Sequence, residues 1–166
     1  MSIMSEAGEQ HGKPKQWVML AVSMALPLLV GALGGIVTDS GWYAELRRPS
    51  FAPPGWLFGP VWTALYLGMG VAAWLVWRRA GFRKARAALA LYALQLVFNA
   101  LWNPIFFGLR AMGWAFVDIV VLAVVIVVTL IKFYRIDRSA GLLLVPYLLW
   151  VLFASVLNFS LWMLNP

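Results

Sequence analysis

The sequence predicts an all-α integral membrane protein, a bundle of five transmembrane helices. The first observation is composition. Of 166 residues, 63 % are hydrophobic and 11 % charged, whereas a soluble domain is nearer half apolar and a quarter charged. The second is length. Five apolar segments, at about 17–37, 56–77, 87–109, 112–133 and 141–164, each reach the roughly 20 residues that a helix needs to cross about 30 Å of hydrocarbon. The third is that the basic residues cluster in alternate connectors, as topology signals do. Runs such as VVLAVVIVV lack the strict alternation of barrel strands. Residues 17–166 therefore form one transmembrane domain. The polar stretch 1–16, MSIMSEAGEQHGKPKQ, is expected to be a disordered tail.

The first segment exceeds a signal-peptide core, and Pro27 and Gly31 to Gly35 offer no small-x-small exit, so it is read as a retained span. Gly31 and Gly35, like Ala64 and Gly68 in the second segment, permit close helix approach inside the bundle or between subunits. A homodimer is the expected assembly.

The connector 38–55 is the longest. Pro49, Pro53 and Pro54 fix their own backbone angles and push their predecessors toward extended conformations, so ordering this loop loses less entropy than ordering a Gly/Ser linker. Trp42, Tyr43, Phe51 and Trp56 would suit an aromatic belt at the headgroups. A belt needs no prolines, however; a preordered lid over a cavity explains both features.

The second segment carries Trp62 and Tyr66 at i, i+4. The third carries Gln95, Asn99 and Asn103 at i, i+4 and i+8, with Trp102 beside them. Such amides in hydrocarbon must face partners, other helices or a cavity. In the fourth, Asp118 is the only charged residue well inside a span. It lies about 9 Å along the axis from Met112 and shares a helix face with Thr129, while the valines face lipid. A buried acid is a functional candidate unless a tryptophan N–H or a neighbouring amide partners it. The fifth places Tyr147, Trp150, Ala154 and Asn158 along one stripe, Ala154 leaving space beyond Trp150. An aromatic stripe alone is more often packing than a site. Two tryptophans on separate helices, near amides and beneath an aromatic lid, shift the balance toward a site for flat aromatic ligands. Pro27, Pro104 and Pro146 are expected to kink their helices.

Absence of cysteine excludes disulfides and thiolate metal sites, and the single histidine, His11, lies in the tail. No metal site is expected, and a haem held by histidine inside the bundle is excluded. The net charge of +7 reflects membrane topology, with anionic lipid headgroups as secondary contacts, rather than nucleic-acid binding.

Three motifs are recognisable together: W-Y-x-x-L-x-x-P-x-x-x-P-P-x-W-x-F-x-x-V-W from Trp42, Q-x-x-x-N-x-x-W-x-P-x-F-F from Gln95, and P-Y-x-x-W-x-x-x-A from Pro146. With them the chain resembles the translocator protein family, also called tryptophan-rich sensory proteins or peripheral benzodiazepine receptors. The resemblance covers all but the tail. Phe51 stands where that family commonly has tryptophan, and Arg48 where it has lysine. The resemblance implies a receptor or carrier for porphyrins and benzodiazepine-type ligands, with a pocket lined by Tyr43, Trp62, Gln95, Asn99, Trp150 and Ala154. Beside these, the stripes offer Tyr66, Trp102, Asp118 and Tyr147. No cofactor is required; porphyrin or haem enters as ligand, and iron-free porphyrins should bind at least as readily as haem.

One alternative within the family is light- and oxygen-dependent porphyrin degradation through Trp62 and Trp150, although the sequence has no nucleophile–base set or cofactor loop to strengthen it. Another is transport of porphyrin or lipid-like molecules, for which no internal repeat argues. The sterol pattern L/V-x-Y-x-K/R matches cheaply at Val37, Tyr43, Arg47 and at Leu130, Tyr134, Arg138, and no Lys or Arg follows Tyr147. It supports no sterol site.

Lys13, Lys15, Arg78, Arg79, Arg83, Lys84, Arg86, Lys132, Arg135 and Arg138 fall on one side of five spans, and Arg47, Arg48 and Arg110 on the other. This bias predicts a cytoplasmic N-terminus and an external C-terminus in a bacterial cytoplasmic membrane; the family resemblance also admits an outer membrane. Cysteine-accessibility labelling should find the Arg83 connector inside, and labelling from outside would reverse the assignment.

Overall fold

The structure, a computed structural model, describes residues 12–166, with side-chain environments from Gln16 onward. Residues 1–11 of the expected tail, His11 among them, lie outside the described residues. Residues 12–16, expected as tail, already belong to the first helix, α1 (Gly12–Val37). A short α2 (Ser40–Glu45) and a 3-10 turn (Gly55–Leu57) bracket the proline-rich connector. Then come α3 (Phe58–Asn103), a π turn (Pro104–Gly108), α4 (Met112–Ile136), α5 (Arg138–Leu143) and α6 (Val145–Leu164).

The second and third spans are not separated by a connector at 78–86. They form a 46-residue helical stretch interrupted at Gly81, whose φ of 70° and ψ of 164° are strained for any residue with a Cβ. The stretch folds back there. Tyr66 pairs with Asn99 and Met69 with Gln95, each pair nearly equidistant from the bend, so the two arms run antiparallel. Four helical stretches among the described residues are long and apolar enough to cross a membrane, and the one spanning Gly55–Gly108, bent at Gly81, crosses twice. The bundle has five crossings. In the last, α5 and α6 meet at Leu144, with Pro146 in the first turn of α6. Of the three prolines expected to kink helices, Pro104 opens the π turn, while α1 continues through Pro27.

In lipid, burial of apolar surface does not drive helices together, so close packing of small residues and polar contacts must do so. α1 packs chiefly against α3; α4 packs against α3 and α6. Ala72, Ala85, Ala115 and Ala140 are fully buried, and the outer face of α4 presents Val117, Val120, Val124 and Val127. The closest backbone-to-backbone approach of α1 and α3 that a glycine permits falls at Gly70. A Cβ there would lie 2.7 Å from the Met24 Cα and 2.8 Å from the Ser23 carbonyl. Gly31 faces the Tyr66 ring inside the bundle, Gly35 meets nothing within 4 Å, and Gly68 meets only the Leu143 carbonyl at 3.7 Å.

The connectors gather at two ends. At one, Arg79 lies 3.5 Å from Asp137, Trp74 Nε1 donates to the Gln16 carbonyl at 3.2 Å, and Arg78 sits over Trp74. At the other, Arg110 lies 3.5 Å from Asp39, and Asn165 bonds to Arg47. This is the alternation expected from the basic residues.

Gly70→Ala should force α1 off α3 and destabilise the bundle by about 1–3 kcal/mol, whereas Gly35→Ala should leave it nearly unchanged. Thermal unfolding in detergent measures both, and equal effects would place the critical contact elsewhere.

Candidate functional site

At the centre of the bundle, Asn99 connects three crossings. The Tyr66 hydroxyl on the first arm of α3 donates to Asn99 Oδ1 at 2.8 Å, and Asn99 Nδ2 donates to Tyr147 Oη on α6 at 3.2 Å. All three side chains are buried. Trp62 stacks on Tyr66 at 5.4 Å and meets Tyr147 edge-on at 6.2 Å. One turn toward the bend, Gln95 Nε2 lies 3.8 Å from Met69 Sδ, a weak acceptor, and Gln95 Oε1 is buried without a partner. The backbones of α3 and α6 approach closely at few positions. Large aromatic rings bridge the seam between them.

The 38–55 loop is folded as well as stiff. Asp39 caps α2 by accepting the Trp42 N–H at 3.0 Å. Trp42 meets Phe106 and Phe107 edge-on at 5.6 and 6.2 Å, and Phe51 meets Phe153 at 6.3 Å. Tyr43 packs on Phe58 at 6.4 Å, and Phe58 packs on Trp150 at 5.9 Å, so one chain of rings runs from the loop through α3 to α6. The π turn, closed by the Leu109 N–H on the Pro104 carbonyl at 2.9 Å, presents Phe106 and Phe107 to α2.

Two polar fastenings hold the loop. Asn165, just past α6, accepts the Arg47 N–H and donates to the Arg47 carbonyl, both at 3.0 Å, and also donates to the Leu161 carbonyl at 2.8 Å. Arg110 pairs with Asp39 and sits 5.3 Å from the centre of the Trp42 ring. Its φ of 52° is the only positive value at a non-glycine among the described residues. The loop's proline turns border an open groove of about 550 Å³ that includes Leu46, Arg48, Pro49 and Pro53.

Two donors at this seam have no partner among the described residues: Tyr43 Oη and Trp150 Nε1, both buried atoms. Burial pushes the Tyr43 phenol above its ordinary pKa, and the opposing pull of Arg48 is smaller. The phenol therefore keeps its proton at neutral pH and stays a donor.

The structure brings Trp62, Tyr66, Gln95, Asn99 and Tyr147 into the centre, joins Tyr43 and Trp150 through Phe58, and packs Ala154 against the same core. Other expected members point elsewhere. Trp102 stacks on Phe106 at 4.7 Å, and its Nε1 donates to Asn158 Oδ1 at 3.0 Å, while the Asn158 amide donates to the Met112 carbonyl. Asn103 turns toward α1, 3.5 Å from the Thr38 hydroxyl. Asp118 has no tryptophan or amide partner among the described residues, and it borders a groove between the second arm of α3, the π turn and α4. Phe58, Arg110 and Asn165 were not anticipated. Phe58 stood in the first motif, but no local pattern marks Asn165, 118 residues from its partner.

The TspO/MBR family model matches residues 23–163. The chain is 43 % identical to the tryptophan-rich protein TspO of Chlorobaculum tepidum over 159 residues, which cover 92 % of this chain and 99 % of the relative. It is 41 % identical to the translocator protein of Sus scrofa over 143 residues, 81 % of this chain and 85 % of the relative. It is 37 % identical to the tryptophan-rich sensory protein of Cereibacter sphaeroides over 149 residues, 90 % and 92 % of the two chains. The match spans all five crossings and the loop that joins the first two. This chain belongs to the TspO/MBR family of integral membrane proteins.

Proposed function

We propose that this protein is a membrane receptor or carrier that binds porphyrins and other flat hydrophobic aromatics between α3 and α6, beneath the 38–55 loop. One observation supports this above the rest. The seam is bridged by the rings of Trp62, Tyr66, Tyr147, Phe58 and Trp150 and holds two unpaired buried donors, Tyr43 Oη and Trp150 Nε1. Flat ligands bind by stacking and edge contacts with a few polar anchors, and these donors suit the carboxylate or carbonyl groups such ligands carry. Arg48, at the loop groove beside Tyr43, adds positive charge for a carboxylate. The names of relatives, translocator and sensory protein, fit carriage or sensing. The protein works as a homodimer in a bacterial cytoplasmic membrane, N-terminus inside.

Binding proceeds by displacement of ring–ring contacts at the seam. The loop then covers the ligand, its aromatics replacing lipid and water, and Asn165 keeps the loop in register. A light-dependent oxidation of the bound porphyrin, with molecular oxygen as the electron acceptor, would involve Trp62 or Trp150. Chromatography of the porphyrin after incubation in light and in darkness separates that reaction from binding.

Trp62→Ala or Trp150→Ala should weaken porphyrin binding by roughly 1–3 kcal/mol, from lost aromatic area and stacking. Trp17→Ala, at the far end and well exposed, should leave affinity unchanged. Titration by fluorescence quenching decides, and equal losses for all three in folded protein would move the site.

Replacing Pro53 and Pro54 together with glycine should cost about 0.4–1 kcal/mol of affinity per position, because the loop must then order on binding. Asn165→Ala should act similarly by releasing the Arg47 strand. In both variants the change should appear mainly as faster release in stopped-flow quenching; unchanged release rates would reduce the loop to an interfacial belt.

A further inference from the structure

The groove beside Asp118 is separate from the seam between α3 and α6. It is an open channel of about 450 Å³ on the outer side of the bundle, walled by Phe98, Ile105, Trp114 and Val121, and it shares none of the rings that bridge the seam. Its walls come from the second arm of α3, the π turn and α4, and Trp114 and Val117 at its border face outward to lipid.

Asp118 is the one polar feature in an otherwise apolar lining. The residue is 7 % exposed, Oδ2 is buried without a partner, and no described residue donates a hydrogen bond to either oxygen. No basic residue lines the groove, and the nearby cation of the α3–α4 turn, Arg110, is engaged by Asp39 and Trp42. A carboxylate in hydrocarbon without counter-charge is costly. An ammonium would supply charge and donors together, whereas a hydroxyl supplies a donor alone. Trp114 stands four residues before Asp118, on the same helix face and one turn nearer the loop. Its indole offers a second attraction to a cation entering from the interface.

We propose that this groove binds a cationic amphiphile from the surrounding bilayer, its ammonium on Asp118 and its apolar chain along Phe98, Ile105 and Val121. The groove's opening to lipid gives the ligand lateral access, and its apolar walls accept a single alkyl chain. Asp118, carried into the porphyrin site by sequence pattern, belongs to this second site.

The test compares octylamine with 1-octanol, equal in chain and differing in head group, by thermal unfolding of the full chain in a neutral detergent. Octylamine should raise the unfolding midpoint at concentrations about tenfold or more below those at which octanol acts. Asp118→Asn should remove that difference while leaving porphyrin quenching intact. Val121→Trp, which fills the groove and keeps the carboxylate, should abolish the response to octylamine, and it carries the comparison if Asp118→Asn fails to fold. Equal responses to amine and alcohol in wild type overturn the proposal, as does an amine preference that survives Asp118→Asn. Loss of porphyrin binding in Asp118→Asn also overturns it by returning the residue to the seam. If octylamine has no effect and Val121→Trp converts a dimer to a monomer in light scattering, a second copy of the chain covers the groove, and the proposal falls. None of these results depends on Trp62→Ala, so the porphyrin reading stands or fails separately.

Discussion

A polar side chain inside hydrocarbon must find its partner within the protein, and the bundle is organised around that constraint at Asn99. Its amide takes one hydroxyl from the first arm of α3 and gives a bond to another on α6, so three crossings share one polar node. Each bond contributes about 1 kcal/mol, but leaving the amide unpaired would cost more. Because the node is made by long tyrosines, it holds α3 and α6 at ring length instead of backbone contact. The spacing that satisfies the amide is also the spacing on which the proposed binding of a flat ligand rests.

The loop follows a different economy. Its rings sit where hydrocarbon gives way to water, and exposed ion pairs there are weak, so Arg110–Asp39 alone would not hold it. The Asn165 amide presents a donor and an acceptor to the Arg47 peptide, pairing as a neighbouring strand would. Proline limits the alternatives to this docked state, and the amide selects among those left. Arg110 accepts an unfavourable backbone angle, a cost of order 1 kcal/mol, and gains contact with both Asp39 and Trp42. The loop is thus ordered by several modest contacts and not by one strong one.

Packing elsewhere relies on smallness. Gly70 lets α1 touch α3 backbone to backbone, and buried alanines let α3, α4 and α5 approach. The valine face of α4 remains for lipid. Asp118 stands apart from this scheme: the groove it borders is otherwise apolar, and no described residue donates a hydrogen bond to its buried oxygen. The proposed seam site is thus built of paired polar groups and aromatic rings, and the proposed groove site of a single acid among apolar walls.

Five crossings, the stiffness of the 38–55 loop and the grouping of basic residues at one end were legible in the amino-acid sequence. Each depends on local quantities: hydropathy over a span, proline's fixed φ, and charge next to a helix end. The positions of Trp62, Tyr66, Asn99, Tyr147 and Trp150 on the faces of three spans were also legible, from helical spacing and motif. The sequence could not say which stripe members meet. Gln95, Asn99 and Asn103 share one face, yet the third turns to α1 because Thr38 and Gly34 lie opposite it. Trp102, expected beside the amides of its own helix, donates instead to Asn158 on α6. The bend at Gly81 in place of a longer connector, the close contact at Gly70 rather than Gly35, and the bond between Asn165 and Arg47 were all decided by tertiary structure. Each depends on which atoms from distant parts of the chain arrive at the same point, and helical periodicity specifies a face without specifying what that face will meet.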